Sequence, residues 1–235
     1  EITPSSATAS LYALALLDCG GDGTAAAIAA AVPRILMEAS CRELVHLAFA
    51  LVMLDLPVAE LLSFVLERLA RLSAKLSPKH LHALRIVEHC VLLPPALRPA
   101  LRASLQADPA AATRCSRAME QIADTARQGA AADAVTSSKL QQRLSKYFVR
   151  LALPHDTEQP VGPYRLDYIL PARIAVEVDG YKHFYAFSRR LTAKSEMKLR
   201  VLRALGWSVV SLPHFDWLPR TTDDRLAYLA GRIEA

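Results

Sequence analysis

Three carboxylates lie close together in the carboxy-terminal third of the chain: Asp167, Glu177 and Asp179. The residues around them alternate apolar and polar, the period-two signature of a strand. In Tyr164–Leu170, this pattern puts Tyr164, Leu166, Tyr168 and Leu170 on one face and Arg165, Asp167 and Ile169 on the other. In Ile174–Asp179, Ile174, Val176 and Val178 point one way, and Ala175, Glu177 and Asp179 the other. A two-residue turn at Pro171-Ala172 would join the strands as a hairpin and bring all three carboxylates to one face. Such a cluster repels itself unless a cation balances it. A magnesium ion on Asp167, Glu177 and Asp179 is one solution, and lysines from a neighbouring helix are the other.

Gly180 ends the second strand, and Tyr181, Lys182, His183, Phe184, Tyr185 and Phe187 follow. Aromatic rings beside cations on a loop suit base stacking and phosphate contact. Tyr181, Lys182 and His183 are the candidates for RNA contact, whereas Phe184 and Phe187 are equally suited to anchoring the loop in the core. A helix is predicted over 187–205, closed by Gly206 at the C′ position. On its wheel Leu191, Val201, Leu202 and Leu205 share a side with Lys194 and Lys198, while Arg189, Arg200 and Arg203 lie opposite. Lysines on an apolar stripe either reach past the helix end or face the carboxylates. A buried strand over 207–212 and a last helix from Thr221 or Thr222 to Ile233 complete a small mixed α/β sheet.

The preceding residues read as short amphipathic helices. One is expected over 24–37, with Pro33 as a break. Ser40 and Glu43 have capping-box spacing, ahead of Leu44, Leu47, Ala48, Leu51 and Leu54. Pro57 is expected in the first turn of a third helix, before Leu61, Leu62, Val65, Leu66 and Leu69. Ser77-Pro78 opens a fourth, with Leu81, Leu84, Val87 and Val91. Pro94, Pro95 and Pro99 bracket a shorter one, and Asp108-Pro109 opens another. These helices predict an α-helical array of stacked hairpins over 1–136, with a plain bundle as the alternative. The stretch 129–138 (GAAADAVTSS) is the expected linker. Ser137 or Ser138 then caps a helix over 139–148 with Leu140, Leu144 and Phe148 inward. The register changes at 155–163, and the second domain is 137–235.

Composition narrows the function classes. Residues 1–136 hold 12 Lys+Arg against 13 Asp+Glu, and residues 137–235 hold 16 against 10. The basic excess lies wholly in the second domain, which points to a polyanion. No apolar run is long enough to cross a membrane. Cys19, Cys41, Cys90 and Cys115 show no metal spacing and are expected to be free, as small buried hydrophobes in a reducing compartment. The sequence opens at Glu1 rather than Met, so nothing about a targeting segment is read from its start.

The segments YRLDYILPARIAVEVDGYKHF, SRRLTAKSEMKLRVLRALGW and VVSLPHFDW, in that order, resemble the RAP domain of mitochondrial and plastid RNA-binding proteins. The resemblance covers roughly a third of the chain. The RAP domain is in turn similar to the restriction-endonuclease-like PD-(D/E)xK nucleases, especially their very-short-patch-repair-like branch. On that likeness Asp167 and Glu177 match the two acidic positions, and His183 the histidine after EVDG. Asp179 stands where those nucleases carry lysine, and Lys194 or Lys198 could replace it in space. The amino-terminal array resembles the helical repeats that commonly precede RAP domains.

The resemblance implies an organellar RNA-binding protein, mitochondrial ahead of plastid, with rRNA or an organellar transcript as partner. RNA processing, translation, or a place in a divergent mitochondrial ribosome would fit. Tyr181, Lys182, His183, Lys194 and Lys198 would meet the RNA, with no cofactor and no small-molecule substrate. A magnesium-dependent endoribonuclease using Asp167, Glu177 and Lys194 or Lys198 is the second reading. A protein-interaction scaffold acting through the near-neutral helical part is the third.

Overall fold

The computed structural model describes residues 3–20, 23–32, 36–92, 97–128 and 139–234. The chain divides into two compact units, Glu1–Ala131 and Ala132–Ala235. The expected linker, the boundary after 136, the serine cap of the following helix, Pro33, Pro94 and Pro95 all lie outside the described residues.

The first unit is helical: α1 (Pro4–Leu17), α2 (Thr24–Ala31), α3 (Cys41–Met53), α4 (Ala59–Arg71), α5 (Pro78–Leu92), α6 (Pro99–Ala107) and α7 (Pro109–Gln128). Ser40 and Glu43 form the expected capping box on α3. α3 is buried nearly all round, from Leu44 to Met53, because it packs against α1, α4 and α5. α4 packs on α7. Pro57 falls outside its helix, since Val58 is the cap residue of α4. α1 has no counterpart among the sequence expectations. Its Ala- and Leu-rich turns lack a polar stripe that would set a 3.6-residue period. Cys90 and Cys115 are buried, whereas Cys19 is exposed and Cys41 half-buried, and none of the four is in a disulfide. Burial pushes the Cys90 thiol up to about 11 and Cys115 up to about 12, so both stay protonated and unreactive.

Asp55 caps a helix far along the chain. Its carboxylate accepts the N–H groups of Ala100 and Leu101, at 3.2 and 3.0 Å, in the first turn of α6. Replacing it leaves two helix donors without that partner. Asp55→Ala is expected to lower unfolding stability by about 1–2 kcal/mol, read as a lower urea midpoint with an unchanged slope.

The second unit starts with α8 (Lys139–Arg150) and continues as β1 (Asp156–Val161), β2 (Tyr164–Leu170), β3 (Ile174–Asp179), α9 (Ala193–Ala204), β4 (Ser208–Pro213), α10 (His214–Trp217) and α11 (Thr222–Glu234). The sheet order is β1-β2-β3-β4. β1–β2 and β2–β3 are antiparallel, and β4 runs parallel to β3 after the α9 crossover. α8 and α11 cover one face, where Leu144, Phe148, Tyr168, Val176, Leu212, Trp217 and Leu229 pack together. α9 covers the other, where Leu202 meets Leu166 and Ala175.

Four details differ from expectation. The β2–β3 turn has three residues, Pro171–Arg173, with Ala172 and Arg173 at φ 59° and 60°. β2 does not keep one parity: Tyr168 and Leu170 face α8, but Leu166 packs on the α9 side. The break falls where Glu158 of β1 adopts φ 55° and its pairing with Asp167 is skipped. α9 begins only after Thr192, whose hydroxyl accepts the Ser195 N–H, so Leu191 and Arg189 lie in a loop instead of on the helix. Finally, β1 forms in the 155–163 stretch, where no strand is expected from its exposed, polar residues. Gly206 takes φ 81° after α9, as its C′ position requires.

Candidate nucleic-acid interface

β2 and β3 pair only from Tyr168↔Val176 to Leu170↔Ile174 and then part. In the gap the Asp167 carboxylate takes the Val178 N–H at 2.7 Å, in place of a strand partner. Glu177 lies on the α9 side of β3, 3% exposed. Its Oε2 is ion-paired with Lys198 of α9. The Lys198 ammonium also donates to the Arg165 carbonyl at 3.1 Å and lies 6.0 Å from the centre of the Tyr164 ring. Glu177 Oε1 is buried with no hydrogen-bond partner among the described residues. Burial pushes Glu177 up to about 8, while Lys198 pulls it back. Burial also raises Asp167, with the Val178 N–H opposing it.

Asp179 belongs to a second group. It is 4% exposed; its Oδ2 accepts from the Ser211 hydroxyl, and its Oδ1 stands 3.5 Å from His183 Nδ1. His183 Nδ1 is also 3.2 Å from Ser195 Oγ, and His214 Nδ1 is 3.3 Å from the Asp179 carbonyl. The three carboxylates therefore share a sheet side without converging on one point. Among the described residues no group of three His, Cys, Asp or Glu side chains is arranged to hold a metal ion. The arrangement does not fit a magnesium ion on Asp167, Glu177 and Asp179: an ammonium already engages Glu177, and a hydroxyl and an imidazole engage Asp179.

Between β3 and α9 the chain forms a closed loop. Phe184 and Leu191 bridge across its neck, and Thr192 N–H donates to the His183 carbonyl at 2.8 Å. Tyr185 Oη accepts the Ala193 N–H at 3.1 Å at the start of α9. Phe184 is the anchor, 4.8 Å from the Phe215 ring. Phe187 is fully exposed at φ 57°, and Tyr181 is 71% exposed. The Lys182 ammonium lies 5.9 Å from the Tyr181 ring centre. Arg189 stands over Phe215, Arg190 over Tyr185, and Lys194 is exposed at the start of α9.

Of the sequence-predicted contacts, Tyr181, Lys182, His183 and Lys194 thus lie on or beside one accessible loop, whereas Lys198 is withdrawn into the Glu177 pair. Lys194 and Lys198 do not share a buried stripe. Ser195, Ser211 and His214 were not expected at the site. Ser211 stands opposite Glu177 in the parallel β3–β4 register and donates to Asp179, a placement set by strand pairing that no sequence pattern shows.

A small mixed sheet with a carboxylate–lysine pair on one face and a basic, aromatic loop beside it is the architecture the motif order implies. Residues 176–231 match the RAP domain family, and the carboxy-terminal unit carries a RAP domain. The chain is similar to FAST kinase domain-containing protein 3, mitochondrial, of Bos taurus, with 30% identity over 88 residues, covering 37% of this chain and 13% of that protein. It is also similar to FAST kinase domain-containing protein 5, mitochondrial, of Mus musculus, with 35% identity over 78 residues, covering 31% of this chain and 10% of that protein. The matches thus span only about a tenth of each relative. No helix among the described residues is long and apolar enough to cross a membrane.

Proposed function

We propose that the carboxy-terminal unit binds single-stranded RNA through the 180–194 loop, and that the protein works in mitochondria, as the names of the two similar mitochondrial proteins suggest. The observation that carries this reading is the loop itself. It holds two exposed aromatic rings, Tyr181 and Phe187, out to solvent beside Lys182 and Lys194. Exposed rings lose favourable contact with nothing to cover them, and nucleobases offer flat faces that cover them at any sequence. The neighbouring cations supply the salt-dependent part of the affinity. Asp179 and Phe184 hold the base of the loop, so its tip is presented on a fixed scaffold. The RNA would be a mitochondrial transcript or rRNA, and the helical unit is the part left to meet proteins. Processing, translation and ribosome membership all remain compatible with such a contact.

The full chain is expected to retain labelled oligouridine at low salt. Tyr181→Ala should weaken binding by about 1–3 kcal/mol, a stacked base being lost. Lys182→Glu with Lys194→Glu should weaken it further and flatten its salt dependence by about 0.7 for each lost phosphate contact. Absence of retention at low salt, or variants that bind as the parent does, would overturn the reading. Magnesium-dependent cleavage of the probe, abolished by Asp167→Ala, would instead make the unit a ribonuclease.

A further inference from the structure

α8 carries Lys139, Arg143, Lys146 and Arg150 and no acidic residue. It buries Leu144 and Phe148 against the sheet. At about 100° per residue, Arg143, Lys146 and Arg150 fall within an arc of about 60° on its outer side. All three are exposed. Arg143 and Arg150 are about 10 Å apart along the axis.

The edge of this stripe meets α11. Tyr147 lies beside it, its ring 5.1 Å from Trp217 in an edge-on contact and 6.0 Å from the Arg150 guanidinium. Arg225 of α11 donates to Tyr147 Oη at 3.4 Å, to the Trp217 carbonyl at 3.1 Å and to the Leu218 carbonyl at 2.8 Å. Each of those acceptors is uncharged, so the guanidinium is fixed in place with its positive charge intact. The hydrogen bond that Arg225 donates also lowers the Tyr147 phenol, and the charges of Arg225 and Arg150 add to it. The first turn of α11 carries Asp223 and Asp224, and Asp224 accepts from the Thr221 hydroxyl and N–H as a helix cap. Val149 on α8 and Leu218 just after α10 are exposed large apolar side chains, 71% and 54% accessible.

We propose that α8 and the start of α11 form a second RNA-binding surface, on the sheet face opposite α9, that grips the phosphate backbone with Arg143, Lys146, Arg150 and Arg225. This rests on the RNA reading above and extends it to a second surface. Charge complementarity selects the partner: three α8 cations that form no salt bridge among the described residues, with an aromatic ring at their edge, suit a phosphodiester strand. A strand long enough to reach both surfaces would be held at two points, and its affinity would exceed that of either alone.

The test uses the full chain and a labelled oligouridine of roughly 30 nucleotides, titrated at several salt concentrations. Arg143→Glu with Lys146→Glu is expected to raise Kd at least tenfold and to reduce the salt slope by about 1.4, the share of two phosphates. Both residues are exposed, so the unfolding midpoint should not move. Arg200→Glu with Arg203→Glu, an equal charge change on exposed positions of α9, should have a clearly smaller effect.

Equal weakening by that control pair would overturn the assignment, since bulk charge alone would account for it. An α8 variant that binds as the parent does, while Lys182→Glu weakens, would overturn this inference and leave the loop reading standing. The reverse pattern would keep the α8 surface and remove the loop. No binding by the parent chain would remove both. Competition by polyglutamate as effective as by unlabelled RNA would reassign the face to an acidic protein and overturn the proposal.

Discussion

Lys198→Met is expected to cost the carboxy-terminal unit about 3–5 kcal/mol at about pH 9, because it strips the partner from a buried carboxylate. The cost should depend on pH in a definite direction. Glu177 has its folded-state value raised to about 8 from an ordinary value near 4.5. A group raised in this way contributes stability that is full under acid conditions and lost as pH rises through about 8. The parent protein should therefore lose stability between about pH 5 and pH 9. Without the Lys198 ammonium, Glu177 is pushed still higher and the loss on ionisation grows. At about pH 5 the carboxyl is protonated in both proteins. Only the contacts to Glu177 Oε2 and the Arg165 carbonyl are then missing, and the difference should shrink. Urea unfolding at the two pH values reads this directly. Glu177→Gln placed in the Lys198→Met background should recover most of the high-pH stability, since no charge is left to bury. A loss of equal size at both pH values would show that Lys198 acts by packing and not by charge.

Phe148→Ala should be comparably damaging, at about 3–5 kcal/mol. Phe148 is fully buried between α8 and the sheet, with Tyr168 and His155 rings each 4.9 Å away. Tyr168 in turn reaches the Ser145 hydroxyl at 3.2 Å, so the same helix is tied to β2 by a polar contact one turn earlier. Removing the ring opens a cavity under the last turn of α8 that the rigid sheet cannot fill. Hydrogen exchange should report faster opening of α8 amides than of β3 and β4 amides. If the variant unfolds with the parent's midpoint, α8 is not an integral layer of the unit, and a binding surface built on it has no fixed geometry.

Sequence periodicity located β2 and β3 residue for residue, because both alternate and both are bounded by Pro or Gly. It also led to Lys198, since a lysine on an apolar helical stripe needs a reason to be there. What it missed depends on partners distant in sequence. β1 is a strand only because β2 hydrogen-bonds to it; its own residues, Asp156 to Val161, carry no apolar alternation. The start of α9 was placed too early because Ser188, Arg189 and Arg190 are permissible in a helix. The chain instead uses them in a loop closed by the Phe184–Leu191 bridge. The parity change in β2 is not legible in its own residues, because it coincides with the left-handed Glu158 on another strand. Asp179 was read with Glu177 from their i, i+2 spacing, and they do share a sheet side. Their partners differ because β4 brings Ser211 to one and α9 brings Lys198 to the other.

The interruption at Glu158 has a bearing on how this unit avoids its own copies. β1 is an outer strand of the sheet, and an outer strand is ordinarily a template on which another chain can assemble. Here the template is spoiled twice within six residues. Glu158 turns the backbone to φ 55°, and Pro160 has no N–H to offer. An incoming strand would find neither a straight run nor a full set of donors. The unit can thus be concentrated without lateral fibre growth along this margin, leaving its helices and its loop to choose its company.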